Sequence, residues 1–295
     1  MELRVLRYFL MAAREENITR AAALLHITQP TLSRQLMQLE EELGVTLFHR
    51  GKYSISLTED GMFLKRRAQE LISLTDKTIR EISHKEEVLS GEIVIGCGET
   101  KSMSFLSKCI VEFQEEYPQV RFEIYSAIAD DIKEKLEKGT LDIGLLCEPV
   151  DIARYDFIRM PFKERWGVLV RKDSKIAHKS TVTPKDLSGL PLLMAKRELV
   201  RSELASWFGD YYDGLHVTAM YNLGINASTM VRSKVGSALT IDLGVFYEDL
   251  CFIPLNPGLE TGSVLVWKKS QMLPAAARRF VEYTQMAVRN KRSNV

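Results

Sequence analysis

Between Ile27 and Gly44 the chain reads ITQPTLSRQLMQLEEELG. Arginine, glutamine and hydroxyl side chains grouped on one side of a helix are nucleic-acid chemistry: Arg pairs bidentately with guanine, Gln with adenine, and hydroxyls hold the sugar-phosphate backbone. At about 100° per residue, Leu32, Leu36, Leu39 and Leu43 form a narrow stripe, while Arg34, Gln38 and Thr31 cluster on the far side with Ser33 at its flank. Glu40, Glu41 and Glu42 crowd the C-terminal turn, where the helix dipole disfavours acids and their charge repels phosphates. Reading therefore falls to the N-terminal half. Taken singly, Thr31 and Ser33 are equally ordinary helix-surface residues; as a set on one face they favour recognition.

A second stretch, IGCGETKS from Ile95 to Ser102, resembles a phosphate loop at first sight. It fails as a Walker A loop, because Thr100 stands where glycine should precede Lys-Ser, and as a dinucleotide loop, because Lys101 replaces the third glycine. What remains is a turn that delivers Thr100, Lys101 and Ser102 to a helix N-terminus, where free N–H groups suit a carboxylate or another anion. Capping of that helix by Ser102 is the competing reading. Ligands of α/β proteins gather beyond strand carboxyl ends, which adds Ser126, Glu148, Lys196, Asn226 and Thr240 as candidates. Lys196 beside Arg197 favours an acidic ligand, although such neighbours also occur as plain surface charge, and Trp166 either walls a cleft or packs. His26, His49, His84, His178 and His216 share no metal-ligand spacing, and neither GxSxG nor HExxH occurs. No catalytic set, metal or cofactor is expected.

These side chains need elements to hold them. Leu3, Leu6, Phe9, Leu10 and Ala13 recur at helical spacing and predict a first helix ending near Asn17. Thr19 is the expected cap of a second, whose Ala21, Ala22 and Ala23 admit a close crossing. Thr28 is the expected cap of the third, with Pro30 in its first turn and Gly44 ending it. Tyr53, Ile55 and Leu57 alternate as in a hairpin, with Arg50 and Lys52 at its tip. From Glu59 to about Glu87 no proline interrupts a long helix, and Leu64, Ala68, Leu71, Thr75, Thr78 and Ile82 offer a two-chain seam weakened by its threonines. After Gly91, short apolar runs alternate with amphipathic helices, the pattern of parallel α/β domains. Strands are expected near residues 93–97, 120–125, 142–147, 166–171, 192–195, 216–221, 238–241 and 264–268. Helices are expected near 103–116, 130–138, 198–208, 225–234 and 275–289.

The 295 residues, 45% hydrophobic and 27% charged, suit about two soluble domains. No apolar run approaches the roughly 18 to 20 residues of a membrane span, and no signal-peptide pattern opens the chain, so a cytoplasmic location is expected. Cys97, Cys109, Cys147 and Cys251 form no CxxC pair and read as buried thiols. Residues 1–60 carry seven basic residues against eight acids, so bulk charge gives no support to nucleic-acid binding and only placement can.

Two short helices, a tight turn, a third helix with a polar outward face and a hairpin wing spell out a winged helix-turn-helix. TRAA, QPTLSRQ, LEEELGVTLF and SLTEDG, in that order and spacing, resemble the N-terminal domain of the LysR-type transcriptional regulators over about the first sixty residues. The remainder is similar in general pattern. The resemblance implies an N-terminal all-α winged helix-turn-helix (1–58), a long dimerising linker helix (59–90) and a C-terminal α/β effector domain (91–295). The last would comprise two Rossmann-like subdomains of the periplasmic-binding-protein type II kind: the first from residues 91–162 and 268–295, the second from 163–267. It also implies that Gln29, Pro30, Thr31, Ser33, Arg34 and Gln38 lie on or beside the DNA-reading helix and that Arg50 and Lys52 lie on a wing near the phosphates. The implied partners are promoter DNA, a small-molecule effector of anionic character in the interlobe cleft, further copies of the chain as dimer or tetramer, and RNA polymerase. Two rivals stand beside this reading. A ligand receptor would use its N-terminal helices only to oligomerise, and an α/β enzyme would need clustered His, Asp or Glu chemistry.

Overall fold

The computed structural model describes residues 1–51, 54–83, 89–269 and 271–293. The chain divides into two compact units, Met1–Lys85 and Glu86–Val295.

In the first unit, α1 (Leu3–Glu15), α2 (Ile18–Leu24) and α3 (Gln29–Leu43) pack together, followed by a hairpin of β1 (Phe48–Arg50) and β2 (Ile55–Leu57) and then α4 (Glu59–Ser83). Leu6, Phe9, Ala12, Ala21, Ala22, Leu32, Leu36 and Leu39 make the core, and the small Ala21–Ala22 pair is what lets α2 cross closely. Asn17, not Thr19, caps α2: its side chain accepts from Arg20 N at 2.9 Å, so the helix begins at Ile18 and Thr19 falls inside its first turn. Thr28 caps α3, accepting from Thr31 N at 3.4 Å, with Pro30 in the first turn where its missing N–H costs nothing. Gly44 ends α3 in the left-handed region at φ 69. That early stop leaves Leu43, the fourth leucine of the stripe, exposed.

Thr58 starts α4: its hydroxyl accepts from Gly61 N at 3.0 Å and donates to Thr46 O at 2.6 Å. Gly61 is needed here, because a Cβ would come within 2.2 Å of Leu47 O. The expected seam on α4 is partly spent within the chain: Leu64 and Ala68 are buried in the first unit's own core. The Thr75 and Thr78 hydroxyls donate back to Leu71 O and Leu74 O. Among the described residues the exposed apolar side chains of α4 are Met62, Phe63, Leu71, Leu74 and Ile79, of which Leu71 belongs to that seam. Lys52, Tyr53, the side chain of Ile82 and the expected helix end at Glu87 lie outside the described residues.

The second unit runs β3 (Gly91–Cys97), α5 (Ser102–Glu116), β4 (Val120–Ser126), α6 (Ala129–Glu137), β5 (Ile143–Cys147), β6 (Tyr155–Arg171), α7 (Pro184–Leu187), β7 (Leu192–Ala195), α8 (Glu198–Phe208), β8 (Val217–Tyr221), α9 (Gly224–Arg232), β9 (Ser237–Ile241), β10 (Leu250–Pro254), β11 (Glu260–Lys268) and α10 (Ala275–Ser293). The sheet order is β4-β3-β5-β11-β6-β9-β7-β8, with β10 on β6. The strands β3 to β5 and β7 to β9 pair in parallel, as the alternating pattern predicts. Two departures join the lobes. The unexpected first half of β6 pairs antiparallel with β11, and its second half pairs with β9 and β10. Pro161 hid that strand in the sequence. The ladder with β11 skips residues 160–162, so the missing proline N–H costs no bond. Residues 263–266 pair with β5, which places them with the first lobe's sheet and not with the second lobe to which the sequence assigned them.

Apolar cores cover both faces of each lobe. Ile93, Ile95, Phe113 and Phe280 fill one face of the first lobe, and Val94, Ile132 and Leu146 the other. In the second lobe Val168, Leu192, Leu204 and Leu239 lie on one side, Leu193, Ala227 and Ala238 on the other.

Candidate functional site

On the first unit, Leu32, Leu36 and Leu39 turn inward and thereby fix what α3 shows outside. Gln29, Pro30, Arg34 and Gln38 are exposed, and Thr31 and Ser33 are half-buried at the edge of the face. The Thr31 hydroxyl bonds that of Thr28 at 2.8 Å, and Gln38 accepts from Gln35 at 3.0 Å. Among the described residues Arg34 has neither an ion-pair nor a hydrogen-bond partner, so its five donors face solvent.

The acidic C-terminal turn behaves differently from its sequence reading. Glu40 accepts from Leu47 N at 2.8 Å and Phe48 N at 3.2 Å, and its other oxygen accepts from Arg50 at 3.0 Å. It pins the wing to α3 and is neutralised there. Arg50 is consequently a wing residue with one donor already engaged, while Lys52 lies outside the described residues.

On the second unit, a cavity of about 110 Å³ opens between the lobes. Of the expected ligand residues, Glu148 and Thr240 line it, as does Trp166; Thr100, Lys101, Ser102, Ser126, Lys196 and Asn226 do not. Thr100 and Ser102 are buried beneath the cleft floor, where both engage Glu164. The fully buried Glu164 carboxylate accepts from the Thr100 hydroxyl, Lys101 N (3.3 Å), Ser102 N (3.3 Å) and the Ser102 hydroxyl (3.4 Å), and the Ser102 hydroxyl also meets Ser263 at 2.6 Å. A protein carboxylate thus fills the anion seat at the start of α5. Lys101 crosses the cleft to Asp242 at 2.7 Å. Burial pulls the Asp242 carboxyl upward, but the Lys101 ammonium and Gly244 N–H outweigh it and hold the group below the usual carboxylate range. Ser126, Lys196 and Asn226 stand exposed outside the cavity.

Sequence reasoning missed the residues that bind the lobes together. Glu99 accepts from Gly224 N at the start of α9. Arg197, its side chain about nine-tenths buried, donates to the carbonyls of Pro149 (2.9 Å) and Cys147 (3.4 Å). Of the Lys196–Arg197 pair expected to favour an acidic ligand, Arg197 lines the cavity and Lys196 does not. Burial pushes the Cys97 and Cys147 thiols up to about 12, so both stay protonated near neutrality. Among the described residues no group of three His, Cys, Asp or Glu side chains is arranged to hold a metal, and no helix is long and apolar enough to cross a membrane.

Two family models match the chain: "Bacterial regulatory helix-turn-helix protein, lysR family" over residues 3–62 and "LysR substrate binding domain" over residues 86–289. The HTH-type transcriptional regulator BsdA of Bacillus subtilis (strain 168) is 37% identical over 297 residues, covering 96% of this chain and 99% of its own. The Hca operon transcriptional activator HcaR of Escherichia coli (strain K12) is 28% identical and covers 97% of each. Full-length CbnR in complex with its target DNA superposes with a TM-score of 0.76 at 20% identity, covering 98% of this chain and 99% of that one. Full-length BenM gives 0.53 at 24% identity, covering 100% and 97%. At these identities the two structures speak for the fold.

Proposed function

The chain belongs to the LysR family of bacterial DNA-binding transcriptional regulators, which are not enzymes, and from that premise we propose that the outward face of α3 reads an operator under control of a small molecule held between the lobes of the second unit. Arg34 and Gln38 contact base edges in the major groove, Gln29, Thr31 and Ser33 position the helix against the backbone, and Arg50 and Lys52 approach phosphates from the wing. The observation that carries this is Arg34, exposed and unpartnered on a face opposite the buried Leu32, Leu36 and Leu39. The complex of CbnR with its target DNA supports the same use of the fold.

The functional domains are residues 1–58 for reading, 59–90 for joining copies and 91–295 for sensing. Exposed Phe63, Leu71 and Leu74 on α4 suit a paired helix, from which dimers and then tetramers would assemble. The effector acts by favouring one arrangement of the reading domains over another, which requires that it bind the two arrangements unequally. Footprinting on DNA upstream of the chain's own gene, with a salt titration, tests the reading. A protected site whose affinity falls steeply with salt is expected; no footprint and no salt-sensitive shift would overturn it.

A further inference from the structure

We propose that the interlobe cavity takes a small ligand headed by one hydrogen-bond acceptor, a carboxylate or amide carbonyl on a short apolar body, in preference to amines and dicarboxylates. The proposal rests on the effector reading above.

Four helices, α5, α6, α8 and α9, begin at the cleft, each with unpaired N–H groups and a positive dipole end. The protein fills two of these ends itself: Glu164 takes that of α5 and Glu99 that of α9. The other two lack a side-chain cap. Their first residues, Ile128 and Ala129 for α6 and Arg197 for α8, line the cavity. Asp130, Asp131 and Glu198 in those first turns are solvent-exposed and cap nothing.

Trp166 is the independent pointer to a ligand. Its side chain lines the cavity and is 5% exposed, and its indole Nε1–H has no acceptor in the protein. A buried donor is normally paired. Arg197 adds a second: its Nε–H has no hydrogen-bond acceptor, only the Asp130 carboxylate at 3.7 Å. Glu99 gives one oxygen to Gly224 N and Glu148 one oxygen to Arg159 at 2.8 Å, and the Tyr221 hydroxyl donates to Leu239 O at 2.6 Å. The buried groups left over are donors. An amine brings further donors and satisfies neither Trp166 Nε1 nor Arg197 Nε. A dicarboxylate brings a second charge for which the two remaining seats are already held by glutamates. The rest of the wall, including Ala127, Leu145, Val200 and Leu243, is apolar. A cavity of about 150 Å³ holds benzene, so about 110 Å³ admits a body of roughly four to six non-hydrogen atoms.

Isothermal titration of the full chain with four probes on a four-carbon backbone, butyrate, butyramide, butylamine and succinate, tests the proposal. Butyrate or butyramide is expected to bind at least tenfold tighter than the other two, and which of them wins identifies the head as charged or neutral. Trp166→Phe, which removes the N–H and keeps the ring plane, should weaken the preferred probe about tenfold, the worth of one hydrogen bond. Ala127→Leu should abolish binding by filling the cavity. Preference for butylamine or succinate that Ala127→Leu removes would overturn the proposal and leave the effector reading standing. Equal binding in wild type and Trp166→Phe would also overturn it. No heat from any probe in the wild-type chain, with a melting temperature unmoved by all four, would count against both.

Discussion

The outward face of α3 and the floor of the interlobe cleft are built from the same side-chain types set at the start of a helix, and they use them in opposite ways. On α3, Thr28 spends its oxygen on the helix while Arg34 keeps all its donors free. At α5, Thr100, Lys101 and Ser102 are bound by Glu164 and Asp242. Exposure makes the difference. Water satisfies Arg34 at no cost, whereas a polar group taken from water must find a partner or destabilise the fold. A ligand-binding residue is therefore recognisable by what it leaves unspent: Arg34 on the surface and Trp166 Nε1 in the interior.

That contrast is most exposed to disproof at Glu164. Its replacement by alanine removes the acceptor of the buried Thr100 hydroxyl and of Lys101 N and leaves Ser102 with only Ser263 and Thr100, and it should cost the second unit about 3 kcal/mol. All three tryptophans, Trp166, Trp207 and Trp267, lie in that unit, so a urea titration followed by fluorescence reads it directly. A loss below about 0.5 kcal/mol would mean the network is not what holds the cleft floor. Next in size, Arg34→Ala should weaken specific DNA binding by about 1 to 3 kcal/mol while leaving thermal stability within about 0.5 kcal/mol of wild type. Fluorescence anisotropy against operator and scrambled duplexes separates base reading from phosphate contact. If stability falls as much as affinity, Arg34 belongs with the structural side of the comparison.

Thr28→Ala should cost about 1 kcal/mol of first-unit stability, read from a circular dichroism melt, because the exposed cap is worth one modest bond. The smallest effect is expected at Asp186 in the short helix α7. Lys179 at 2.6 Å, helped by Thr183, holds its carboxyl down at about 2. A depressed carboxyl contributes stability that is present above its ordinary range near 4 and is lost as pH falls toward 2. Asp186→Asn should accordingly lower stability slightly at neutral pH, by an amount that vanishes as pH falls toward 2, as thermal melts across that range would show.

The reading helix was legible because its information is local. Thr28, Pro30, Gly44 and the leucine stripe lie within one segment, and burial of one face dictates the other. The strands β3 to β5 and β7 to β9 were legible for the same reason, as apolar runs between amphipathic helices. The cleft was not, because its partners are far apart in sequence. Nothing near Lys163-Glu164-Arg165 distinguishes a buried carboxylate from a surface charge until β6 carries Glu164 under the start of α5. Leu64 and Ala68 taught a related lesson: a heptad stripe looks the same whether its partner is another chain or α1 of its own. Asn17 and Thr19 are both competent caps, and only the backbone of the preceding turn chose between them.

The position of β11 has a consequence for biosynthesis. It is the last strand made, yet it lies between β5 and β6. During translation the first lobe therefore waits with the inner edge of β5 unpaired, and its core lacks α10 with Phe280, while β7, β8 and β9 of the second lobe can already close on one another. An open apolar edge of that kind is what templates aggregation. The lobe begun first is finished last, and a ribosome stalled before Glu260 holds a chain whose earliest sheet is its stickiest part.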